Sequence, residues 1–250
     1  MDKVLVATSL FFWALLIEVS ARIAGSDLFP PLTVVIATAF GIMQFASFQQ
    51  ALLVTARSFA IGLALSLCVG ITVGALMGRF QAVDKIMNVW VNIFLSAPLT
   101  ALVPALMPIL GIGDATVITT VFLFAVWVVI IDTREGIRNT PRSLVEMARV
   151  NGATRWQMFT KILVPAALPE IMTGVRLAVV RGVKGVIIGQ IIIALIGFGG
   201  LFEDYLKRFQ MERFWALVLV VFIMGFTLVG LVGLLERRLT TYKSTSAKEH

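Results

Sequence analysis

One histidine, His250, and one cysteine, Cys68, are all that this 250-residue chain carries of the two side chains most used in metal, redox and nucleophilic chemistry. A lone cysteine closes no internal disulfide, and neither residue has the neighbours that zinc-type spacing requires. With its single histidine at the tail, the chain assembles no Ser-His-Asp triad. The 14 carboxylates are scattered, and the phosphate-cradling pattern GxxxxGK[S/T] is absent, which excludes ATP binding by that route. Nothing gathers into a set of nucleophile, base and ligand. The expectation is a non-catalytic chain with no cofactor and no metal.

Charge is the second scarcity: 14% of residues are Asp, Glu, Lys or Arg, against about 25% in a soluble domain. Apolar residues make up 59% of the chain, with a mean hydropathy of +0.96. Lipid is the natural surrounding for such a composition. A hydrocarbon core about 30 Å thick is crossed by roughly 20 helical residues, and six windows qualify: Val4 to Ile23, Ser58 to Met77, Asn88 to Leu110, the shorter Val117 to Ile131, Ile171 to Ile196, and Phe214 to Leu235. The fifth carries Arg176, Arg181, Lys184 and Gln190, and cations at that depth must face protein or water, or snorkel. These windows predict an all-α, polytopic membrane protein: one transmembrane domain over 1–250, with a connection over 132–170 and a tail over 236–250 that the charge bias below makes cytoplasmic.

Six spans place both termini on one side, and the Lys/Arg bias makes that side the cytoplasm. Lys3, Arg79, Lys85, the cations from Arg134 to Lys161, and Arg237, Arg238, Lys243 and Lys248 fall inside; Arg22, Arg57, Lys207, Arg208 and Arg213 fall outside. The net charge of +7 therefore reads as topology and contact with anionic lipids, not as a nucleic-acid surface. The first apolar run is longer than a usual signal-peptide core, and Met1-Asp2-Lys3 has no net positive charge, so it reads as a first span and not a cleaved leader.

Within the spans, Gly70, Gly74 and Gly78, then Gly185 and Gly189, recur at four-residue spacing. Small residues so placed let helix backbones approach closely in lipid, and packing within the chain explains them more simply than dimerisation. Pro98, Pro104 and Pro108 interrupt the third span. Each removes a helical hydrogen bond, which fits either a broken helix lining a wet pathway or a kinked packing helix.

Between the fourth and fifth spans lies a basic, polar stretch, Glu146 to Pro165, EMARVNGATRWQMFTKILVP, in a connection of roughly forty residues, where bundle helices are usually joined by about 2 to 8. Ser143 to Val150 can form a short helix, with Thr140 and Pro141 ordered as N-cap and first-turn proline. Gly152 ends it. Thr154 to Leu163 can form another, with Trp156, Phe159 and Leu163 on one face and Pro165 and Pro169 as stops. Such a hairpin suits docking to a partner or resting on headgroups. The external loop from Gly197 to Arg213 is read as a partner surface, as an interfacial helix anchored by Phe198, Phe202 and Tyr205, or as both at once.

Glu146-Met147-Ala148, Gly152 and Ile162-Leu163-Val164-Pro165 together resemble the EAA signature, E-x-A-x-x-x-G-x(9)-I-x-[LV]-P, of binding-protein-dependent ABC importer permeases. Gly136-Ile137-Arg138-Asn139, Ala167-Leu168-Pro169, Gly174-Val175-Arg176 and the Gly111 to Asp114 turn are similar to the nitrate/sulfonate/taurine group, over roughly residues 96 to 236. The resemblance implies that Glu146, Ala148, Gly152, Ala153, Ile162 and Pro165 couple the chain to a separate ATP-binding cassette ATPase subunit. It also implies an extracytoplasmic solute-binding protein, a second permease copy, identical or similar, and a place in a bacterial or archaeal inner membrane. Glu146 is expected either to meet that ATPase or to cap its own helix. Pro98, Thr100, Pro104, Lys184 and Gln190 are the candidate pathway residues. Gly189-Gln190 stands where the group usually has a glutamate and Lys184 where it tends to be apolar or aromatic, which favours an anionic or polar solute if those side chains face the path. The other class considered is an ion-coupled carrier or channel that works without an ATPase. Against it, no internal repeat is visible, and a channel has no use for so long a connection.

Overall fold

A computed structural model describes residues 2–240; the tail beyond, with Lys243, Lys248 and His250, lies outside the described residues, as do the side chains of Lys3, Arg237 and Arg238. Every regular element among the described residues is helical. Helix α1 (Asp2–Ala24) leads to α2 (Leu32–Ile42) and the long α3 (Ala46–Arg79). Phe80 alone separates α3 from α4 (Gln81–Ser96), and α5 (Leu99–Leu110) leaves α4 at 101°. Helix α6 (Asp114–Arg138) is followed by α7 (Arg142–Val150) and then by the short α8 (Arg155–Gln157). Through a π-helical stretch, Met158–Leu163, α8 continues into α9 (Val164–Ile193), and α10 (Gly197–Lys207) and α11 (Met211–Thr240) complete the chain. Five of these helices are long and apolar enough to cross a bilayer, or six if the bent pair α4–α5 counts as one span.

Proline acts differently at different sites. Pro98 sits at the bend, preceded by an extended Ala97, as the clash between a proline ring and the residue before it dictates. Pro104 and Pro108 stay inside α5, and neither Pro165 nor Pro169 stops α9, so the expected stops do not occur. The wider π-helical turns just before Pro165 open the space that its ring would otherwise take from the carbonyl four residues back. Helix α6 also runs past Ile131 to Arg138, because backbone hydrogen bonding does not end where apolar composition does.

The chain divides into two compact units, Met1–Ala56 with Gln190–Gly225, and Arg57–Gly189 with Phe226–His250. In the first, Glu18 of α1 receives the Thr33 N–H at 3.1 Å and the Thr33 hydroxyl at 2.9 Å, supplying an anionic cap to a helix whose N-cap is a proline. The Trp215 indole donates to the Leu28 carbonyl at 2.9 Å. Phe198, Phe202 and Tyr205 are buried, not anchored at a surface as an interfacial helix would require. Phe198 packs on Phe48 and Phe202 on Phe214, with ring centres 5.5 and 5.3 Å apart.

In the second unit α6 lies between two rows of small residues. A methyl added at Gly70 or Gly78 of α3 would come within 2.7 Å of Val129 or Ile137 Cβ, and one at Gly62 within 2.6 Å of Val121 Cβ. From α9, Gly174, Gly185 and Gly189 meet Asp132, Phe124 and Thr120. The four-residue glycine spacing thus serves close packing inside one chain, in which van der Waals contact takes the place of a hydrophobic driving force.

Candidate functional site

The segment between α6 and α9 forms an elbow with a dry inner side and a bare outer side. Alternation on α7 turns Val145 and Ala148 inward, where Ala148 joins Ile137, Met158, Leu163, Ala167 and Ile171 in a buried cluster. Ala153 and Ile162 pack against the same cluster. Outward face Glu146, Met147, Val150 and Trp156; Val150 and Trp156 are 88% and 73% exposed, so this side of an otherwise well-packed elbow carries uncovered apolar side chains beside the exposed Glu146.

Two local devices set the bend. Gly152 has a φ of +72°, its N–H bonds the Arg149 carbonyl, and the Ala153 N–H bonds the Ala148 carbonyl, each at 3.0 Å. These two bonds are a Schellman motif, whose left-handed position is the one that glycine fills at least cost. One residue later Thr154 begins the next helix with a capping box: its hydroxyl accepts from the Gln157 N–H, and the Gln157 side chain accepts from the Thr154 N–H. The T-x-x-Q spacing that signals this box is legible in the sequence and extends the reading of Thr154 as a helix start.

At the other end, Thr140 and Pro141 do not cap α7 as expected. Pro141 is the N-cap residue but offers no side-chain acceptor, while the Thr140 hydroxyl donates back to the Gly136 carbonyl of α6 at 3.3 Å. Glu146 is the fifth residue of α7, too far along to serve the first turn, and among the described residues it makes no hydrogen bond or ion pair. Gly152 and Pro165 are exposed, whereas Ala148 is enclosed.

An ionic clasp ties the top of this elbow to the start of α4. Arg134 embraces Asp84 with two N–H groups, Nε to Oδ1 and Nη2 to Oδ2 (3.0 Å), and Arg138 adds a third bond to Oδ2 at 3.0 Å. The Arg134 and Asp84 side chains are only 17% and 15% exposed, so the bidentate geometry is held away from water. In the sequence Arg134 and Arg138 are legible as cytoplasmic cations, Arg138 also within the Gly136–Asn139 match, and Asp84 draws no reading, since their pairing joins positions 50 and 54 apart.

The candidate pathway residues do not form one site. Pro98, Thr100 and Pro104 lie exposed on the bend and along α5, and Lys184 lies exposed on α9 together with Arg181. Gln190 is fully buried. Its Oε1 accepts from the Thr55 hydroxyl of α3 at 3.0 Å and from the Phe198 N–H that opens α10 at 3.1 Å. Gly197 and Gly199 close over it so tightly that a Cβ at either would collide with the Gln190 side chain or its carbonyl. Gln190 therefore knots α3, α9 and α10 together, a role that depended on the Gly197 turn and was invisible without it.

The chain is similar to several known proteins. The family model described as binding-protein-dependent transport system inner membrane component matches residues 66–241. The chain is 32% identical over 117 residues to the riboflavin transport system permease protein RibX of Chloroflexus aurantiacus, covering 47% of this chain and 44% of that protein. It is 31% identical over 126 residues to the bicarbonate transport system permease protein CmpB of a Synechocystis strain, covering 50% and 42%. The chain thus spans somewhat under half the length of these relatives. A chain of the MetNI methionine ABC transporter, solved in inward-facing conformations, superposes with a TM-score of 0.63 at 21% identity, covering 78% of this chain and 94% of that one, which shows a shared fold. The matched region holds the whole elbow, the clasp partner Arg134 and the bent pair α4–α5, and by that match the chain belongs to the family of binding-protein-dependent transport system inner membrane components.

Proposed function

We propose that the chain is the membrane-spanning permease subunit of an ATP-driven importer, forms half of its solute pathway and couples to a separate ATPase subunit through the elbow. The observation that carries this reading is the elbow's asymmetry: a buried inner cluster that includes Ala148, beneath an outer face where Glu146, Val150 and Trp156 are exposed and the Trp156 ring meets that of the nearby Phe159. A bend fixed by local caps and faced with uncovered apolar side chains is suited to a groove on a partner. Glu146, Gly152 and Pro165 lie at its exposed side, with Ala148, Ala153 and Ile162 beneath them as support. Nucleotide-driven closure of two ATPase subunits would move two such elbows and rock the attached bundles between inward-open and outward-open states. One chain supplies half a translocator, so a second permease copy completes it, and an extracytoplasmic binding protein delivers the solute.

The solute class is small and anionic or polar. Pro98, Thr100, Pro104 and Lys184, exposed in the single chain, would line the path, and Arg181 and Lys184 give it a cationic character. Gln190 would act through the wall that it holds. The subunit performs no catalysis of its own, and both termini lie in the cytoplasm. Reconstitution tests the whole reading. Vesicles with this chain, its ATPase and its binding protein should accumulate solute only with hydrolysable nucleotide; solute movement by the chain alone would replace the importer with a carrier or channel.

A further inference from the structure

Where α1 ends and α11 begins, two adjoining cavities in the first unit serve none of the roles above. One is a polar cleft of about 780 Å3 that carries both signs of charge, Arg22 and Arg213 with Asp27 and Glu212. The other is an apolar groove of about 610 Å3 bounded by α1, α2 and α11 and walled by Phe29, Trp215 and Phe222. Ala21 and Pro30 border both, so the two adjoin, and an occupant that spans them needs an end carrying both signs of charge and an apolar tail.

Depth and charge narrow the choice. From Ala24 to Ile17 the groove follows α1 for seven residues, about 10 Å at helical rise, which is most of a leaflet whose hydrocarbon is about 15 Å deep. Trp215 lines the groove two residues along α11 from Arg213 of the cleft, with its N–H donated to the Leu28 carbonyl, and an amphipathic indole suits the headgroup level. In the cleft, Arg22 already meets Glu18 at 2.7 Å, and Arg213 lies over the Phe45 ring and donates to Gln210. Each guanidinium keeps further N–H groups for a phosphate. The two carboxylates of the cleft, together with the Glu18 already paired to Arg22, leave no excess of positive charge, which removes the advantage of a net anion. They also accept hydrogen bonds, which a primary ammonium can donate and a trimethylammonium cannot.

We propose that the cleft and groove bind a zwitterionic phospholipid with a primary ammonium headgroup, its phosphate between Arg22 and Arg213, its ammonium against Asp27 and Glu212, and one acyl chain along Trp215 and Phe222. The site lies apart in sequence from the elbow, and its occupancy is independent of coupling to an ATPase.

Native mass spectrometry of the full chain, exchanged into micelles holding equal amounts of phosphatidylethanolamine, phosphatidylcholine and phosphatidylglycerol, decides it. The expected result is about tenfold preferential retention of phosphatidylethanolamine. Joint Asp27→Asn and Glu212→Gln should bring it down to the level of the other two. Ala24→Trp, at an exposed position on the groove wall, should lower retention of all three. Equal or better retention of phosphatidylglycerol by the unaltered chain overturns the proposal. So does a charge variant that keeps the preference, whatever becomes of the tryptophan variant. If Ala24→Trp instead weakens self-association with bound lipid unchanged, the groove belongs to a second copy; if it weakens only capture of the external binding protein, it belongs to that partner.

Discussion

The elbow around Gly152 and the knot around Gln190 each join helices through a tight glycine turn, yet they use polar groups in opposite ways. At the knot the polar atoms face inward: Gln190 binds Thr55 and the Phe198 N–H, and both flanking glycines are in contact with it. At the elbow the polar and apolar groups face outward; Gly152 touches nothing that an added Cβ would meet, and Glu146 stands exposed. The difference is the one expected between a scaffold and the interface proposed for the elbow. Damage at the knot should appear as lost folding, and damage at the elbow as lost coupling in a protein that still folds.

The sharpest way to break this comparison is Gly199→Val. With the Gln190 carbonyl in the way of any Cβ, the variant should lose several kcal/mol, on the order of 3 or more, and fail to yield a monodisperse protein in detergent. A stable, active Gly199→Val protein would deny the knot its role. Next in size, Asp84→Asn removes the anion that two arginines share and leaves the mostly buried Arg134 with Glu135, at 2.7 Å, as its remaining carboxylate partner, at a cost of about 2 kcal/mol. Thermal unfolding should show the loss, and Asp84→Glu should restore much of it. For Gly152→Val we expect about 1 to 2 kcal/mol of local strain from the left-handed backbone. The chain should remain folded while nucleotide-dependent uptake falls sharply, and uptake at the unaltered level would remove the elbow from the mechanism. Smallest in stability is Glu146→Ala, within about 0.5 kcal/mol; its effect should be confined to co-purification with the ATPase subunit.

Much of this architecture was legible in the residues because the bilayer imposes a length and a composition on every span. The glycine rows were legible for a related reason: with no hydrophobic effect between helices, small residues mark where backbones meet. The bend at Gly152 could be read because few residues adopt that backbone. Other features depend on tertiary context. The apolar α2 is too short to stand out as a span, and its cap comes from Glu18, 15 positions away. Pro165 reads as a stop in any local window, yet the preceding π-helical turns accommodate it. The Asp84 clasp and the enclosure of Gln190 both join distant residues, which spacing along the chain cannot reveal. The candidate pathway suffers most from this, since residue type alone could not tell an exposed Lys184 from a buried Gln190.

The caps on either side of Ala153 draw only on residues within five positions of their partners. The angle between α7 and the start of α9 is therefore set as this chain folds. In the proposed importer little conformational entropy would remain to be lost on docking, and a push received there would be delivered by a stiff crank instead of being absorbed in ordering a loose one.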